Sequence, residues 1–353
     1  MGSVAFAVMF PLSCPLGLAT AAAAPCRIPH VRNKNQVDSR HESAPSSHAV
    51  GRREVSSALN HPPRETPERE ELVERLRDRA KFVRLETVRL TRIAGAGHYT
   101  ATFSAAELFA ALYYAELRYR PEEPDWPDRD RFVLSKGHAA IGLYPILADV
   151  GFFDGALLDN YTRLGSAFGD HPDMRKIPGA DFSSGSLGHG LSISVGMALG
   201  ARVQDRSFRV YCMMGDGELS EGQVWEAAMA AGQFQLGSLI GIVDRNHLSI
   251  DGNTESIMGV EPLAARFQSF GWKVHEVDGH DLDAILDVFN ALEPSGVGAP
   301  QMVIADTVKG RGVQRMEGDF QWHVGNLVGE DYDDVIAEIE GGLRPLVAGG
   351  ADG

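Results

Sequence analysis

The sequence has few cysteines, no long apolar run in its main body and no excess of basic residues. Its three cysteines, Cys14, Cys26 and Cys212, lie far apart, which predicts neither a disulfide framework nor a zinc cluster and favours a reducing cytoplasmic setting. There are 33 Lys and Arg against 48 Asp and Glu, a net charge of −15, which argues against nucleic-acid and anionic-membrane partners. With 44% hydrophobic residues and 39 glycines, the chain of 353 residues is predicted to be globular, with a site built from loops.

The N-terminal region, residues 1–68, differs from the rest of the sequence. Its start, MGSVAFAVMFPLSCPLGLATAAAAP, is apolar like a signal peptide, but it lacks a basic start and is interrupted by Pro11 and Pro15. The residues that follow are polar and rich in Pro and Ser, so we predict a disordered extension over 1–68. Order is expected from about Arg69, with one domain over 69–345 and a flexible tail over 346–353.

Beyond Arg69 the apolar pattern predicts alternating helices and strands. A first helix is predicted from the three- and four-residue spacing of Leu72, Leu76, Ala80, Val83, Thr87 and Leu90. Ser104 and Glu107 form a capping-box pattern that predicts the start of a second helix. Buried strands are predicted at 208–214, 239–244, 272–277 and 301–307, with helices between successive strands. This alternation predicts an α/β fold, a parallel sheet with helices on both faces, whose ligands bind at the carboxyl ends of the strands.

Residues 213–226, MGDGELSEGQVWEA, place an aspartate between two glycines where a predicted strand ends. Glycines allow the backbone to approach a phosphate, and Asp216 offers a hard oxygen ligand suited to Mg²⁺ or Ca²⁺. Asn246 follows the next predicted strand, so its amide oxygen and a nearby backbone carbonyl are expected at the same edge of the sheet. The alternative is that Asp216 and Asn246 are ordinary turn residues.

Five motifs then occur in the order found in transketolases. They are GAGHYTATFSAAELFAALY at 95–113, SKGHAAIGLY at 135–144, GDHPDMRKIPGADFSSGSLGHGLSISVGMALG at 169–200, GDGELSEGQVWEA with the downstream NHLSIDG, and KGRGVQRMEGDFQWH at 309–323. The sequence resembles this family from about Arg69 to Asn326. The resemblance implies the thiamine-diphosphate-binding fold (PP domain) and a transferase that moves a two-carbon ketol unit from a ketose or ketose phosphate to an aldose.

The resemblance also implies roles for individual residues. Mg²⁺, or Ca²⁺ or Mn²⁺ in its place, is assigned to Asp216, Asn246 and the main-chain carbonyl of Leu248. The catalytic residues that it implies are histidines, with His98 and His171 facing the donor sugar and His138 and His323 lining the diphosphate and the reacting end of the cofactor. The implied cofactor-binding set is His138, Gly185, Ser186, Leu187, Gly188, His189, Gly215, Asp216, Gly217, Glu218, Asn246 and His323. Other histidines are interpreted as surface or capping residues: His30, His41, His48, His61, His275 and His280.

Two departures from the family pattern bear on the donor. His189 stands where the family has glutamine, and it either contacts the pyrimidine or substrate or caps the next helix. Tyr99 and Thr100 stand where the family usually has smaller residues, and they are expected to narrow the donor pocket. The donor and acceptor sugars stay open.

The family's pyrimidine-binding domain, with its activating glutamate, lies beyond the end of this sequence. The resemblance therefore implies the N-terminal subunit of a split transketolase, which forms a heterotetramer of two plus two with a separate C-terminal subunit. Three alternatives stay open: a 1-deoxyxylulose-phosphate synthase-like enzyme, a ketoacid dehydrogenase subunit, and a non-catalytic cofactor-binding module.

Overall fold

The computed structural model describes residues 61–325 and 327–344, over which helices and strands alternate along the chain. The α-helices are α1 Pro67–Ala94, α2 Tyr99–Ser104, α3 Ala106–Ala111, α4 Ala140–Asp149, α5 His189–Val203, α6 Gly222–Gln233, α7 Thr254–Met258, α8 Leu263–Ser269, α9 Leu282–Ala291 and α10 Asp331–Glu340. The strands are β1 Arg131–Leu134, β2 Val210–Gly215, β3 Leu239–Arg245, β4 Lys273–Asp278 and β5 Gln301–Asp306. Short 3₁₀ turns span Gly137–Ala139, Gly155–Asn160, Gly217–Ser220 and Phe320–Trp322, and a π-helical turn spans Leu112–Glu116. None of the helices in the described ranges combines the length and apolarity needed to cross a bilayer.

The five strands form one parallel sheet in the order β1-β2-β3-β5-β4. Gly215 at the end of β2 pairs with Asp244, and Arg245 at the end of β3 pairs with Asp306. The carboxyl ends of these three strands are therefore level with one another. This confirms the predicted α/β class and places the loops that follow β2, β3 and β5 along one edge of the sheet.

Helices cover both faces of the sheet, as predicted. On β2, Tyr211 and Met213 belong to a core built with α1, α3, α4 and α9. Cys212 and Met214, which alternate with them, belong to a second core built with α5, α6 and α8. Because side chains alternate along a strand, β2 is buried on both sides, and a buried methionine such as Met213 or Met214 stabilises the fold by about 1.5–3 kcal/mol.

Helix α1 carries the predicted apolar face, and all six residues of that pattern are buried. Its start lies before the predicted boundary at Arg69, because Pro67 occupies the first turn and the Thr66 hydroxyl accepts a hydrogen bond from the Arg69 N–H at 3.3 Å. His61 is also buried, with Nε2 3.2 Å from a carboxylate oxygen of Glu116. The ordered body thus includes 61–68, whereas residues 1–60 of the predicted extension and the predicted tail 346–353 lie outside the described residues.

The predicted capping box at Ser104 and Glu107 is wrong. Ser104 is the last residue of α2, and its hydroxyl donates to a carboxylate oxygen of Asp244 at 2.7 Å. Glu107 lies in α3 and forms a buried ion pair with Arg84 of α1 at 2.7 Å. Both side chains have stronger partners far away in the sequence, so neither caps a helix.

Two histidines that were interpreted as surface or capping residues are internal. His61 contacts Glu116, as described above. His280 accepts a hydrogen bond from the Val308 N–H at 2.9 Å through Nε2, and its Nδ1 lies 3.0 Å from a carboxylate oxygen of Glu107. Because Nε2 is an acceptor, the ring proton is on Nδ1 and donates to Glu107. His280 therefore links α3 to the loop after β5.

Candidate functional site

The candidate site is built from loops at the carboxyl edge of the sheet. Lys136 and His138 follow β1, Asp216 follows β2, Asn246 follows β3, and Lys309 follows β5. The parallel register brings the ends of these strands together, so residues more than a hundred positions apart become neighbours.

Asp216 is held by several protein donors at the turn after β2. One carboxylate oxygen accepts hydrogen bonds from the Arg245 guanidinium at 2.6 Å, the His247 N–H at 2.7 Å and the Thr254 hydroxyl at 3.1 Å. The other oxygen accepts only the Gly217 N–H, at 2.9 Å, among the described residues. Burial raises the pKa of Asp216 above its usual value, although Arg245 opposes the shift. The second oxygen retains a lone pair for a cation.

Asn246 presents its amide oxygen at the same edge. Its Nδ2 donates to Asp244 at 3.2 Å, and its Oδ1 accepts the Leu248 N–H at 3.2 Å. No group of three His, Cys, Asp or Glu side chains suited to a metal occurs within 61–325 and 327–344. A metal beside Asp216 would need further oxygen donors, and the predicted ones, the amide oxygen of Asn246 and the carbonyl of Leu248, are hard oxygens that suit Mg²⁺, Ca²⁺ or Mn²⁺.

Asp244 organises the interior of this edge. Its buried carboxylate accepts hydrogen bonds from Lys136, Ser104, Thr307 and Asn246. Burial raises the pKa of Asp244, but the Lys136 ammonium and the hydrogen bonds from Thr307 and Ser104 together outweigh burial, and the pKa lies below its usual value. Asp244 therefore remains a carboxylate that neutralises Lys136 and fixes the loops after β1, β3 and β5.

Lys309 is the second buried ammonium at this edge, with 2% of its surface exposed. Its Nζ lies 2.8 Å from Nδ1 of His323 and 3.5 Å from the Leu248 carbonyl oxygen. Burial lowers its pKa to about 8, so the ammonium is still largely protonated at neutral pH. Neither contact is with an anion, and a buried cation next to neutral groups is costly, so this position fits an anionic ligand such as a diphosphate.

The predicted catalytic histidines form one cluster. The ring centre of His98 lies 5.5 Å from that of His138, 6.1 Å from that of His171 and 5.4 Å from that of His323. The centres of His138 and His323 are also 5.4 Å apart. Burial, together with the charges of nearby lysines, lowers the pKa of His323 to about 3 and that of His138 well below its usual value. Both rings are therefore neutral near pH 7 and suited to hydrogen bonding with hydroxyl groups.

The glycine loop before α5 lies against this cluster. Gly185, at φ +143°, leaves room for His171, because a Cβ atom there would lie 3.2 Å from the His171 ring. Ser186 is exposed and Leu187 is partly buried. His189 is exposed as the first residue of α5, and it makes no capping hydrogen bond, because Gly188 occupies the cap position.

Glu218 fastens this loop to the turn after β2. Its carboxylate accepts hydrogen bonds from the Gly188 N–H at 2.8 Å, the Gly215 N–H at 3.1 Å and the Ser135 hydroxyl. Burial raises its pKa, while these donors oppose the shift. With its oxygens engaged in this way, Glu218 shapes the predicted cofactor site through the backbone around it.

Tyr99 and Thr100, expected to narrow the donor pocket, are buried beneath the turn that carries His323. The Thr100 hydroxyl donates to the Trp322 carbonyl at 2.9 Å, and the Tyr99 ring centre lies 6.4 Å from that of Trp322. These contacts support the position of His323.

Sequence reasoning missed several charged residues of the site: Lys136, Asp170, Asp244, Arg245 and Lys309. Lys136 and Lys309 lie inside the motifs SKGH and KGRG, next to predicted ligand-binding residues. A lysine inside a motif that borders a predicted diphosphate site is a signal from which these two residues could have been predicted.

Residues 76–341 match the family model of the transketolase thiamine diphosphate binding domain. The chain belongs to the transketolase family. Over 274 residues it is 37% identical to an apulose-4-phosphate transketolase subunit of Phocaeicola vulgatus, covering 78% of this chain and 97% of that protein. Over 265 residues it is 40% identical to a 6-deoxy-6-sulfo-D-fructose transketolase subunit of a Clostridium species, covering 75% of this chain and 96% of that protein.

Solved transketolases share the fold of this transketolase-family chain. The crystal structure of the Campylobacter jejuni transketolase superposes with a TM-score of 0.70 at 29% identity, over 76% of this chain and 43% of that one. The chain thus spans less than half of that transketolase but nearly all of the two subunit relatives. These matches confirm the predicted family, its thiamine-diphosphate-binding fold and its class as a transferase.

Proposed function

We propose that this chain is the thiamine-diphosphate-binding subunit of a two-chain transketolase, which moves a two-carbon ketol unit from a ketose or ketose phosphate to an aldose. One observation supports the proposal most directly. At one edge of the sheet, the chain places the Asp216 oxygen that retains a lone pair, the buried Lys309 ammonium, which contacts neutral groups, and the cluster of four histidines. The two relatives described above, which bear the names of transketolase subunits, support the two-chain form.

The metal would be held by Asp216, Asn246 and the main-chain carbonyl of Leu248. Lys309 would contact the diphosphate, and Gly215 and Gly217 would let the backbone approach it. The donor chemistry of these residues suits Mg²⁺, with Ca²⁺ or Mn²⁺ as substitutes. Diphosphate oxygens would complete the coordination of the metal.

Bound thiamine diphosphate would supply the carbon nucleophile that ketol transfer requires. His138 and His323, kept neutral by burial and nearby lysines, would hydrogen-bond at the reacting end of the cofactor. His98 and His171 would hold the hydroxyl groups of the donor sugar. The loop Gly185, Ser186, Leu187 and Gly188, followed by His189, would line the pyrimidine side.

The companion would be a C-terminal transketolase subunit that supplies the pyrimidine-binding domain and its activating glutamate. We propose a heterotetramer of two copies of each chain that works in the cytoplasm, where the buried free thiol of Cys212 stays reduced. General acid–base catalysis depends on a positioned proton donor and acceptor, so the chain without its companion should be inactive.

The test uses the full chain, purified alone and with the companion identified by co-purification from the native host. By calorimetry, the chain alone should bind thiamine diphosphate only when Mg²⁺ is present. With a ketose phosphate donor and an aldose acceptor, ketol transfer should appear only after the companion is added, and replacing the companion's activating glutamate should abolish it. Transfer by the chain alone, or binding without transfer in the complex, would contradict the proposal.

A further inference from the structure

Asp170 is a carboxylate placed between two members of the histidine cluster. Nδ1 of His98 lies 3.1 Å from one of its oxygens and is hydrogen-bonded to the other at 3.4 Å, and Nδ1 of His171 lies 3.6 Å from the first oxygen. The Tyr161 hydroxyl, itself buried, donates at 3.4 Å to the oxygen that is hydrogen-bonded to His98. The carboxylate therefore faces the Nδ1 atoms of both rings that the proposed function assigns to the donor sugar.

Asp170 is ionised near neutral pH. Burial raises its pKa, but the hydrogen bond from His98 and the nearby charges outweigh burial, and the pKa lies below its usual value. Burial and the Asp170 charge raise the pKa of Tyr161, so its hydroxyl keeps its proton and acts as a donor. An ionised carboxylate accepts hydrogen bonds and cannot donate one, so the proton in the contact with His98 belongs to Nδ1 of the ring.

The four histidines thus divide into two pairs with different neighbours. His323 contacts the Lys309 ammonium, and the charges of Lys136 and Lys309 both act on His138 and disfavour its protonated form. His98 and His171 instead share a carboxylate. A hydrogen bond at one ring nitrogen decides which tautomer the imidazole adopts, and hence whether the other nitrogen donates or accepts.

We propose that Asp170 is a positioning residue that fixes the Nδ1–H tautomer of His98 and orients His171, so that Nε2 of His98 accepts a hydrogen bond from a hydroxyl group of the substrate. The inference rests on the proposed function for the identity of the substrate, a polyhydroxy ketose. The tautomer itself is a property of this chain and does not depend on turnover.

The first experiment measures the tautomers directly. The full chain is labelled with ¹⁵N-histidine, and two-bond proton–nitrogen spectra, recorded at a pH at which the imidazoles are neutral, are assigned with His98→Gln and His171→Gln. The wild-type His98 should show a protonated Nδ1 and an unprotonated Nε2. Asp170→Ala should shift His98 toward a mixture of tautomers, and Asp170→Asn should shift it in the same direction. An unchanged His98 pattern in Asp170→Ala would overturn the proposal.

The matched control is Asp173→Asn in the same loop. Asp173 accepts the Arg175 N–H at 3.1 Å and forms an ion pair with Lys176 at 3.4 Å, and its polar partners within the described ranges do not include the four histidines. Its replacement should leave the His98 pattern as in the wild type. A shift as large as that in Asp170→Ala would mean that the loop as a whole sets the tautomer, which would overturn the specific role of Asp170.

The second experiment uses the complex with the companion subunit. Asp170→Asn should lower kcat/KM for a ketose phosphate donor about tenfold or more, the scale of one charge-assisted hydrogen bond, and leave thiamine-diphosphate affinity within about twofold. An equal loss of cofactor affinity would identify Asp170 as a structural residue and refute the proposal. If the wild-type complex shows no ketol transfer while the tautomer shift occurs, the proposed function fails and the role of Asp170 in setting the tautomer stands.

Discussion

Replacing Arg84 with methionine should lower the free energy of unfolding by about 3–5 kcal/mol, because it leaves the Glu107 carboxylate buried without its charged partner. Arg84 and Glu107 are each 3% exposed, and the guanidinium donates to both carboxylate oxygens, at 2.7 and 2.8 Å. The guanidinium also donates to the carbonyl oxygens of Phe103 and Arg311, at 2.8 and 3.0 Å. The second carbonyl belongs to the loop that carries Lys309.

The pKa of Glu107 gives the pH range over which this stabilisation is present. Burial raises this pKa, but the Arg84 charge and the hydrogen bond from His280 outweigh burial, and the pKa is about 2 against an ordinary value of 4.5. Since the folded-state pKa is the lower one, this stabilisation is present above pH 4.5 and is lost as the pH falls toward 2. At about 1.4 kcal/mol per pKa unit, the net shift corresponds to roughly 3 kcal/mol, to which both Arg84 and His280 contribute.

The assay is urea unfolding of the full chain at pH 7, followed by circular dichroism. The matched control is Arg79→Met on the same helix, whose ion pair with Asp149 at 3.0 Å is 36% and 29% exposed and should contribute less than about 1 kcal/mol. Combining Arg84→Met with Glu107→Gln should cost less than Arg84→Met alone, because no unpaired charge remains. A loss below about 1 kcal/mol for Arg84→Met, or no recovery in the double variant, would refute the reasoning.

Three further predictions concern the site. Asp216→Asn should remove the Mg²⁺-dependent part of thiamine-diphosphate affinity in calorimetry, and unchanged affinity would contradict its role as a metal ligand. Gly188→Ala should lower the thermal midpoint more than Gly165→Ala. Both residues have positive φ, +83° and +87°, but only at Gly188 would the new Cβ clash, 2.6 Å from Cβ of Glu221, so equal losses would argue against this cause. His323→Gln should lose less stability than the wild type between pH 7 and 5. The pKa of His323 is about 3 in the folded state and 6.5 in the unfolded chain, so below pH 6.5 protonation favours the unfolded wild type. An equal fall in the melting temperature of the two proteins between pH 7 and 5 would contradict this.

The sequence correctly predicted those features that depend on the pattern of neighbouring residues. The strands at 208–214 and 239–244 correspond to β2 and β3, with boundaries shifted by one or two residues. Asp216 and Asn246 both lie at the carboxyl edge of the sheet, because parallel strands carry the loops that follow them to the same end. The five motifs in their order were sufficient to assign the family, which the match to the family model confirms.

What sequence reasoning missed depends on contacts between distant residues. Lys136 and Asp244 are 108 positions apart, and Glu107 and His280 are 173 apart, so no local pattern pairs them. Ser104 matched a capping signature, but a buried carboxylate from another element competed for its hydroxyl. Local patterns describe what a side chain is able to bind, and the tertiary fold decides which partner it has.

The hydrogen bonds that Glu218 accepts from two loops affect how tightly this chain can bind a ligand. The loop before α5 and the loop after β2 are joined by a single carboxylate that lies inside the protein. Their spacing is therefore set during folding, and the loss of conformational entropy that fixes them occurs before any ligand arrives. A ligand that enters between them has little ordering left to impose there, so more of its contact energy remains as affinity.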